Sequence, residues 1–247
     1  MRGTEGPIRI GGVWSVVAVV FSLAVLTGWS YPTVAAEPTD AEPFPPPARP
    51  VARIISPSYT DEATRDRNGE AERVMDHLGI KPGVRVADIG AGDGYYTVRV
   101  ARRLGPTGTL YAEDIKWDYL RRLESRLKLE QIHGITLVLG APGDPKLPPR
   151  GIDVAILSHM YHEIENPFEL LYRLRPALAP GGRVAIIDVD KPTQDHGTPA
   201  ALLRCELAAV GYRELERISL APPGLYLAVF APPDRLPPIR AITPCPQ

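Results

Sequence analysis

From Asp66 onward the chain alternates short apolar runs with amphipathic stretches, and this alternation predicts a layered α/β domain. Ala71, Val74, Met75 and Leu78 recur at helical spacing, and Gly79 followed by Pro82-Gly83 ends that helix. Strands are expected at residues 85–89, 109–114, 136–139, 154–157 and 183–189, with helices at 95–104, 117–129, 167–178 and 199–210. Strand and helix in regular succession imply a doubly wound parallel sheet with helices on both faces. Two further apolar stretches, 213–219 and 225–230, follow the last helix. Ala221-Pro222-Pro223-Gly224 between them is a turn signal, so the two are expected to pair antiparallel at one edge. Beyond Pro232 the pattern reads as a loose tail.

The N-terminal pattern is different. Arg2 and Arg9 precede a charge-free stretch over 10–36 whose dense apolar part is 13–26. That is the length of an export signal's core and short of the roughly 20 residues of a membrane span. Val34-Ala35-Ala36 supplies small residues where a signal peptidase would cut. Residues 1–36 are therefore read as a signal peptide, with an uncleaved membrane anchor or a buried helix of the domain as alternatives; either of the first two places the domain outside the cytoplasm. Residues 37–65 form a proline-rich linker read as a disordered tether, 66–232 the folded domain and 233–247 a proline-rich tail.

Composition adds mainly exclusions. A net charge of −1 over 247 residues carries no nucleic-acid footprint. Cys205 and Cys245 match no zinc spacing; two free thiols are the favoured expectation and a bridge the alternative.

Candidate chemistry gathers at the carboxyl ends of the expected strands, where open α/β sheets bind ligands. Asp88-x-Gly90-x-Gly92-x-Gly94 joins a strand to a helix, letting backbone approach a ligand that side chains would block. Its spacing is GxGxG, whereas the dinucleotide fingerprint is GxGxxG. Glu113-Asp114 ends the next strand, about two dozen residues after Gly90, where an acid bonds ribose hydroxyls. Neighbours on a strand point to opposite faces, so one of the two is expected to serve. The loop over 140–149 has Asp144 as its only acid, a candidate contact for the base. Ser158-His159-Met160-Tyr161-His162-Glu163 follows the fourth strand and is rich in titratable groups. His162-Glu163 opens an HExxH pattern, but Asn166 stands where the second histidine belongs, so no metal is expected. His162, His159 and Glu163 are instead candidates for a general base or substrate clamp. Asp188-Val189-Asp190 ends the fifth strand, His196 could reach over the pocket, and Thr198-Pro199 reads as helix cap and first helical residue.

Taken together, these segments resemble the class I S-adenosylmethionine-dependent methyltransferases. The resemblance rests on Val86-Ala87-Asp88-Ile89-Gly90-Ala91-Gly92-Asp93-Gly94, Tyr111-Ala112-Glu113-Asp114-Ile115, Asp153-Val154-Ala155-Ile156-Leu157 and Leu174-Arg175-Pro176-Ala177-Leu178-Ala179-Pro180-Gly181-Gly182. Glu206-Leu207 with Gly211-Tyr212 resembles the family's late helix, and Tyr161-His162-Glu163 a variant in bacterial members of unassigned substrate. The resemblance implies a Rossmann-like sheet of seven strands, six parallel and the last antiparallel, with S-adenosylmethionine as cofactor and a small-molecule methyl acceptor. By position, Asp88, Gly90, Ala91, Gly92 and Gly94 would hold the methionine end, with Ser158 beside them. Asp114 would bind the ribose, with Glu113 as alternative. Gly140-Ala141 stands where the family's Gly-Asp is usual, leaving Asp144 as substitute. A nicotinamide or flavin dehydrogenase and a non-catalytic binding domain are the competing readings. The second draws on a tension, since an exported domain sits where S-adenosylmethionine is not made.

Overall fold

The computed structural model describes residues 42–55 and 62–246. The leader over 1–36 lies outside the described residues, as do 37–41 and 56–61 of the linker. Among the described residues, no helix is long and apolar enough to cross a membrane.

The expected alternation is present. Helices α1 (Glu62–Arg67) and α2 (Glu70–His77) precede β1 (Arg85–Ile89), α3 (Tyr95–Leu104), β2 (Thr109–Asp114), α4 (Trp117–Leu129) and β3 (Ile135–Leu139). Then come β4 (Ile152–Ser158), α5 (Pro167–Leu174), β5 (Leu178–Val189), α6 (Ala200–Ala209), β6 (Arg213–Ser219) and β7 (Leu225–Ala231). All seven strands join one sheet in the order β3-β2-β1-β4-β5-β7-β6. β1 pairs parallel with β2 and β4, β2 with β3, and β4 with β5. β7 inserts between β5 and β6, antiparallel to both, so it alone runs against the other strands. The chain order of the central strands reverses at β1 and β4, whose carboxyl ends diverge into a crevice.

Apolar side chains fill both faces of the sheet. Phe168, Leu171, Leu174, Leu203 and Leu207 from α5 and α6 cover one face. Val74, Met75, Leu78, Tyr96, Val100 and Leu104 from α2 and α3 cover the other. Near-continuous burial along β1, β4 and β7 explains why these strands read as unbroken apolar runs.

Several expectations fail locally. The helix expected over 167–178 ends at Leu174, because Pro176 has no N–H to continue it; a 3₁₀ turn, Arg175–Ala177, leads straight into β5. Thr198 does not cap α6: its hydroxyl turns inward to Asp188 at 2.7 Å, and Pro199 takes the cap position. The two cysteines are not free thiols but form a Cys205–Cys245 disulfide. That bond, with burial of Ile242 and Cys245, pins to the domain a tail expected to be loose.

The linker departs further from expectation. Residues 42–55 form an ordered strap rather than a tether. Arg49 Nε donates to Glu206 Oε1 at 2.9 Å, with both side chains wholly buried. Its other nitrogens donate to the carbonyls of Tyr161 and His162 at 3.2 and 3.3 Å. Ala52 N–H donates to the His162 carbonyl at 3.0 Å, and the Thr193 hydroxyl to the Pro50 carbonyl at 2.8 Å. The composition-based reading missed this because a proline-rich segment with no period gives no element signal, whereas its seating depends on one buried charge pair.

Candidate active site

The crevice is a cavity of about 540 Å³ over the carboxyl ends of β1, β2, β4 and β5. β1 delivers the glycine turn. Gly90 and Gly94 have φ of +67° and +87°, a region that glycine enters without strain. A Cβ on Gly90 would sit 2.9 Å from the Met160 side chain, and one on Gly94 2.3 Å from Leu123. The turn therefore stays bare and lines the cavity with backbone. Asp88, just before it, is buried and accepts a 2.6 Å bond from the Thr97 hydroxyl, bracing the first turn of α3. Burial pushes Asp88 up to about 6.

At the end of β2 both acids line the cavity, each bonding a different part of the turn. Asp114 accepts from the N–H groups of Gly92 (2.9 Å) and Lys116 (2.8 Å). Glu113 accepts from Gly90 N–H at 3.4 Å. Burial raises both carboxyls; that of Glu113, with Asp114 beside it, rises to about 8, so it carries a proton near pH 7. Asp114 accepts two well-formed backbone bonds against the single long one to Glu113, which favours charge on Asp114 over Glu113. Asp144 is not brought there. Its carboxylate accepts from Lys146 N–H within its own loop, and it borders a separate groove near Phe44 and Tyr172. Ala141, Pro142 and Gly143 form that wall instead.

A third corner was not foreseen. Arg65 reaches in from α1, 3.5 Å from the Tyr95 ring centre, and donates to Glu70 (2.5 and 3.1 Å) and the Ser158 hydroxyl (3.0 Å). His159 Nε2 lies 3.4 Å from Glu70. Burial works upward on Glu70, but the neighbouring His159 and the hydrogen bonds from Arg65 outweigh it and hold this acid down at about 2. His159 thus lines the cavity beside Glu70 and Arg65. Arg65 and Glu70 precede every motif, and nothing in their spacing marks them.

The fourth corner holds His162 and Glu163, on a 3₁₀ turn, Tyr161–Glu163, after β4. Asp188 at the end of β5 is fully buried, and its carboxylate lies 3.0 and 3.2 Å from His162 Nδ1. A carboxylate can only accept, so Nδ1 carries a proton, and in the neutral imidazole Nε2 is then the nitrogen that keeps a lone pair. The Thr198 hydroxyl and Val189 N–H also bond Asp188, fixing its orientation. His162 Nε2 stands 4.0 Å from Glu163 Oε1, and His196 Nδ1 stands 3.9 Å from the same oxygen. Glu163 also accepts from Ile55 N–H of the strap, and burial pushes it up to about 7. Asp188 ends an expected strand, but its role depends on an inward turn that pattern does not reveal.

Known proteins resemble this chain in sequence and in fold. A family profile described as a methyltransferase domain matches residues 80–211. Demethylmenaquinone methyltransferase of Geobacillus sp. (strain WCH70) is 22% identical over 122 residues, 49% of this chain and 52% of that one. The ubiquinone/menaquinone biosynthesis C-methyltransferase UbiE of Ectopseudomonas mendocina is 29% identical over 115 residues, 46% of this chain and 45% of that one. The chain thus spans about half the length of the curated relatives it matches. Among solved structures, a SAM-dependent methyltransferase from Aquifex aeolicus shares the fold with a TM-score of 0.60 at 19% identity, covering 69% of this chain and 97% of that one.

Proposed function

The chain belongs to the class I S-adenosylmethionine-dependent methyltransferases, and from that premise we propose that it methylates a small-molecule acceptor held between the glycine turn and His162. The observation carrying this reading is the Asp188–His162 pair, which aims an imidazole lone pair into a cavity that the cofactor-type turn also lines. The turn fits the cofactor because side chains are absent where the ligand's methionine end would lie. Asp114 offers a carboxylate for the ribose hydroxyls, and Arg65 a cation for the methionine carboxylate. Asp114→Ala is expected to weaken S-adenosylmethionine binding about 10–100-fold, since charge-assisted hydrogen bonds are each worth about 1.5–3 kcal/mol. Calorimetric titration measures this, and unchanged affinity would remove Asp114 from the site.

Bound S-adenosylmethionine supplies a methyl group activated by sulfonium charge. The residues here position the acceptor and take its proton. His162 Nε2 accepts the proton from an acceptor hydroxyl or acidic C–H, and Asp188 stabilises the resulting imidazolium. The acceptor atom so freed of its proton would be held by these residues for in-line displacement at the methyl group that bound S-adenosylmethionine would supply. Ile54, Ile55, Met160 and Ile164 line the cavity nearby and help exclude water. Incubating the full chain with methyl-labelled S-adenosylmethionine and a cell-envelope extract tests the reading. Label in a small molecule supports it, and binding without any transfer favours a non-catalytic cofactor-binding domain.

We also propose that the domain works in an oxidising, extracytoplasmic compartment, because the Cys205–Cys245 disulfide is of a kind that persists there. An alkaline-phosphatase fusion at Pro47 is expected to be active in cells, and an inactive one with an active cytoplasmic reporter would reverse the assignment.

A further inference from the structure

We propose that His162, Glu163 and His196 form a divalent-metal site at the acceptor end of the cavity, with zinc as the ion. The inference rests on the proposed function for its role but not for its test.

Three donors converge here from two segments. His162 and Glu163 sit on the turn after β4, and His196 on the loop after β5, where it holds a φ of +57°. One donor atom from each lies within 4.8 Å of the others, with both histidines about 4 Å from Glu163 Oε1. A tetrahedral ion bound at about 2.1 Å sets its donors about 3.4 Å apart, so the two contacts to Glu163 must close by about half an ångström and the two imidazoles by up to about 1.4 Å, which rotation of the His196 side chain on its loop can supply. Two imidazoles and one carboxylate suit zinc, and three protein ligands leave a fourth position open.

The surroundings are those of a ligand set. Metal-bound histidine typically donates its second ring N–H to a carboxylate, which fixes the ring and raises its basicity. Asp188 does this for His162 and is itself anchored by Thr198 and Val189. Ile55 N–H fixes the Glu163 carboxylate. The rings of His162 and His196 meet edge to face at 5.5 Å, which brings the second imidazole to the same spot. All three donors line the cavity, so the open position faces the acceptor. There an ion would hold an oxygen of the acceptor and ease loss of its proton. The Nε2 lone pair serves either ion or proton, so metal-loaded and metal-free protein deprotonate the acceptor by different routes. Sequence spacing hid the set because its third donor lies 33 positions past Glu163, on another strand's loop.

The test uses full-length protein stripped with chelator, titrated separately with zinc, cobalt(II) and S-adenosylmethionine. One zinc equivalent is expected, together with a visible cobalt d–d band. His196→Ala and Glu163→Gln should abolish both, and Asp188→Asn should weaken zinc binding about 10–100-fold. His196 sits on a loop, so its variant keeps the test valid should the Asp188 variant misfold. Absence of zinc binding in the parent protein, or a cobalt band unaltered by His196→Ala, overturns the proposal. S-adenosylmethionine binding is read independently: if it fails while zinc binds, the metal site stands and the proposed function falls.

Discussion

Arg49→Ala is expected to destabilise the domain by about 3–5 kcal/mol, the range for breaking a buried ion pair by removing one partner. Glu206 would be left charged in a site with no solvent access, and the carbonyls of Tyr161 and His162 would lose their donor. The urea midpoint should fall accordingly, with protease cutting within 42–55 appearing at lower denaturant. Replacing both partners, Arg49→Met with Glu206→Leu, should recover much of the loss, because burying the pair costs desolvation that an apolar pair avoids. A midpoint equal to the parent's in the single variant would show that the pair contributes nothing.

His162→Ala should reduce turnover about 10²–10⁴-fold, the usual contribution of a positioned proton acceptor, while S-adenosylmethionine affinity stays within about twofold. The separation is expected because His162 sits on the turn after β4, whereas the glycine turn follows β1 and Asp114 ends β2. Asp188→Asn should also lower turnover: an amide can present its NH₂ to Nδ1 and favour the tautomer that places the proton on Nε2. Single-turnover rates with the labelled acceptor check both. Retained turnover in His162→Ala would remove the imidazole from the chemistry, and equal loss of cofactor affinity would make its role structural.

The fold was legible wherever local pattern governs. The runs at 85–89 and 109–114 are the strands as they stand, and the helices at 95–104 and 117–129 keep their expected ends. These elements are set by burial on the pleat or on one helix face, which the order of residues records directly. The glycine turn and the acids at the end of β2 were legible for the same reason, since a strand-to-helix turn is local. Asp144 misled because a loop acid can bond its own backbone instead of a ligand. Asp188, Arg65 and Arg49 were hidden because each acquires its role from a partner distant in the chain: His162, Glu70 with Ser158, and Glu206. Pattern periodicity carries no information about such pairings. The disulfide was missed likewise, with its cysteines 40 positions apart and one inside a proline-rich end.

Neighbouring residues of α6 secure both margins of the domain: Cys205 binds the C-terminal tail and Glu206 the N-terminal strap. During synthesis, then, residue 49 emerges long before the carboxylate it needs, 157 positions later. Until α6 is in place, the guanidinium that also bonds the turn bearing His162 lacks its buried counter-charge. A growing chain therefore cannot form the buried ion pair that seats its N-terminal strap until residue 206 has been made, and a chain ending before that position would carry the strap without its partner.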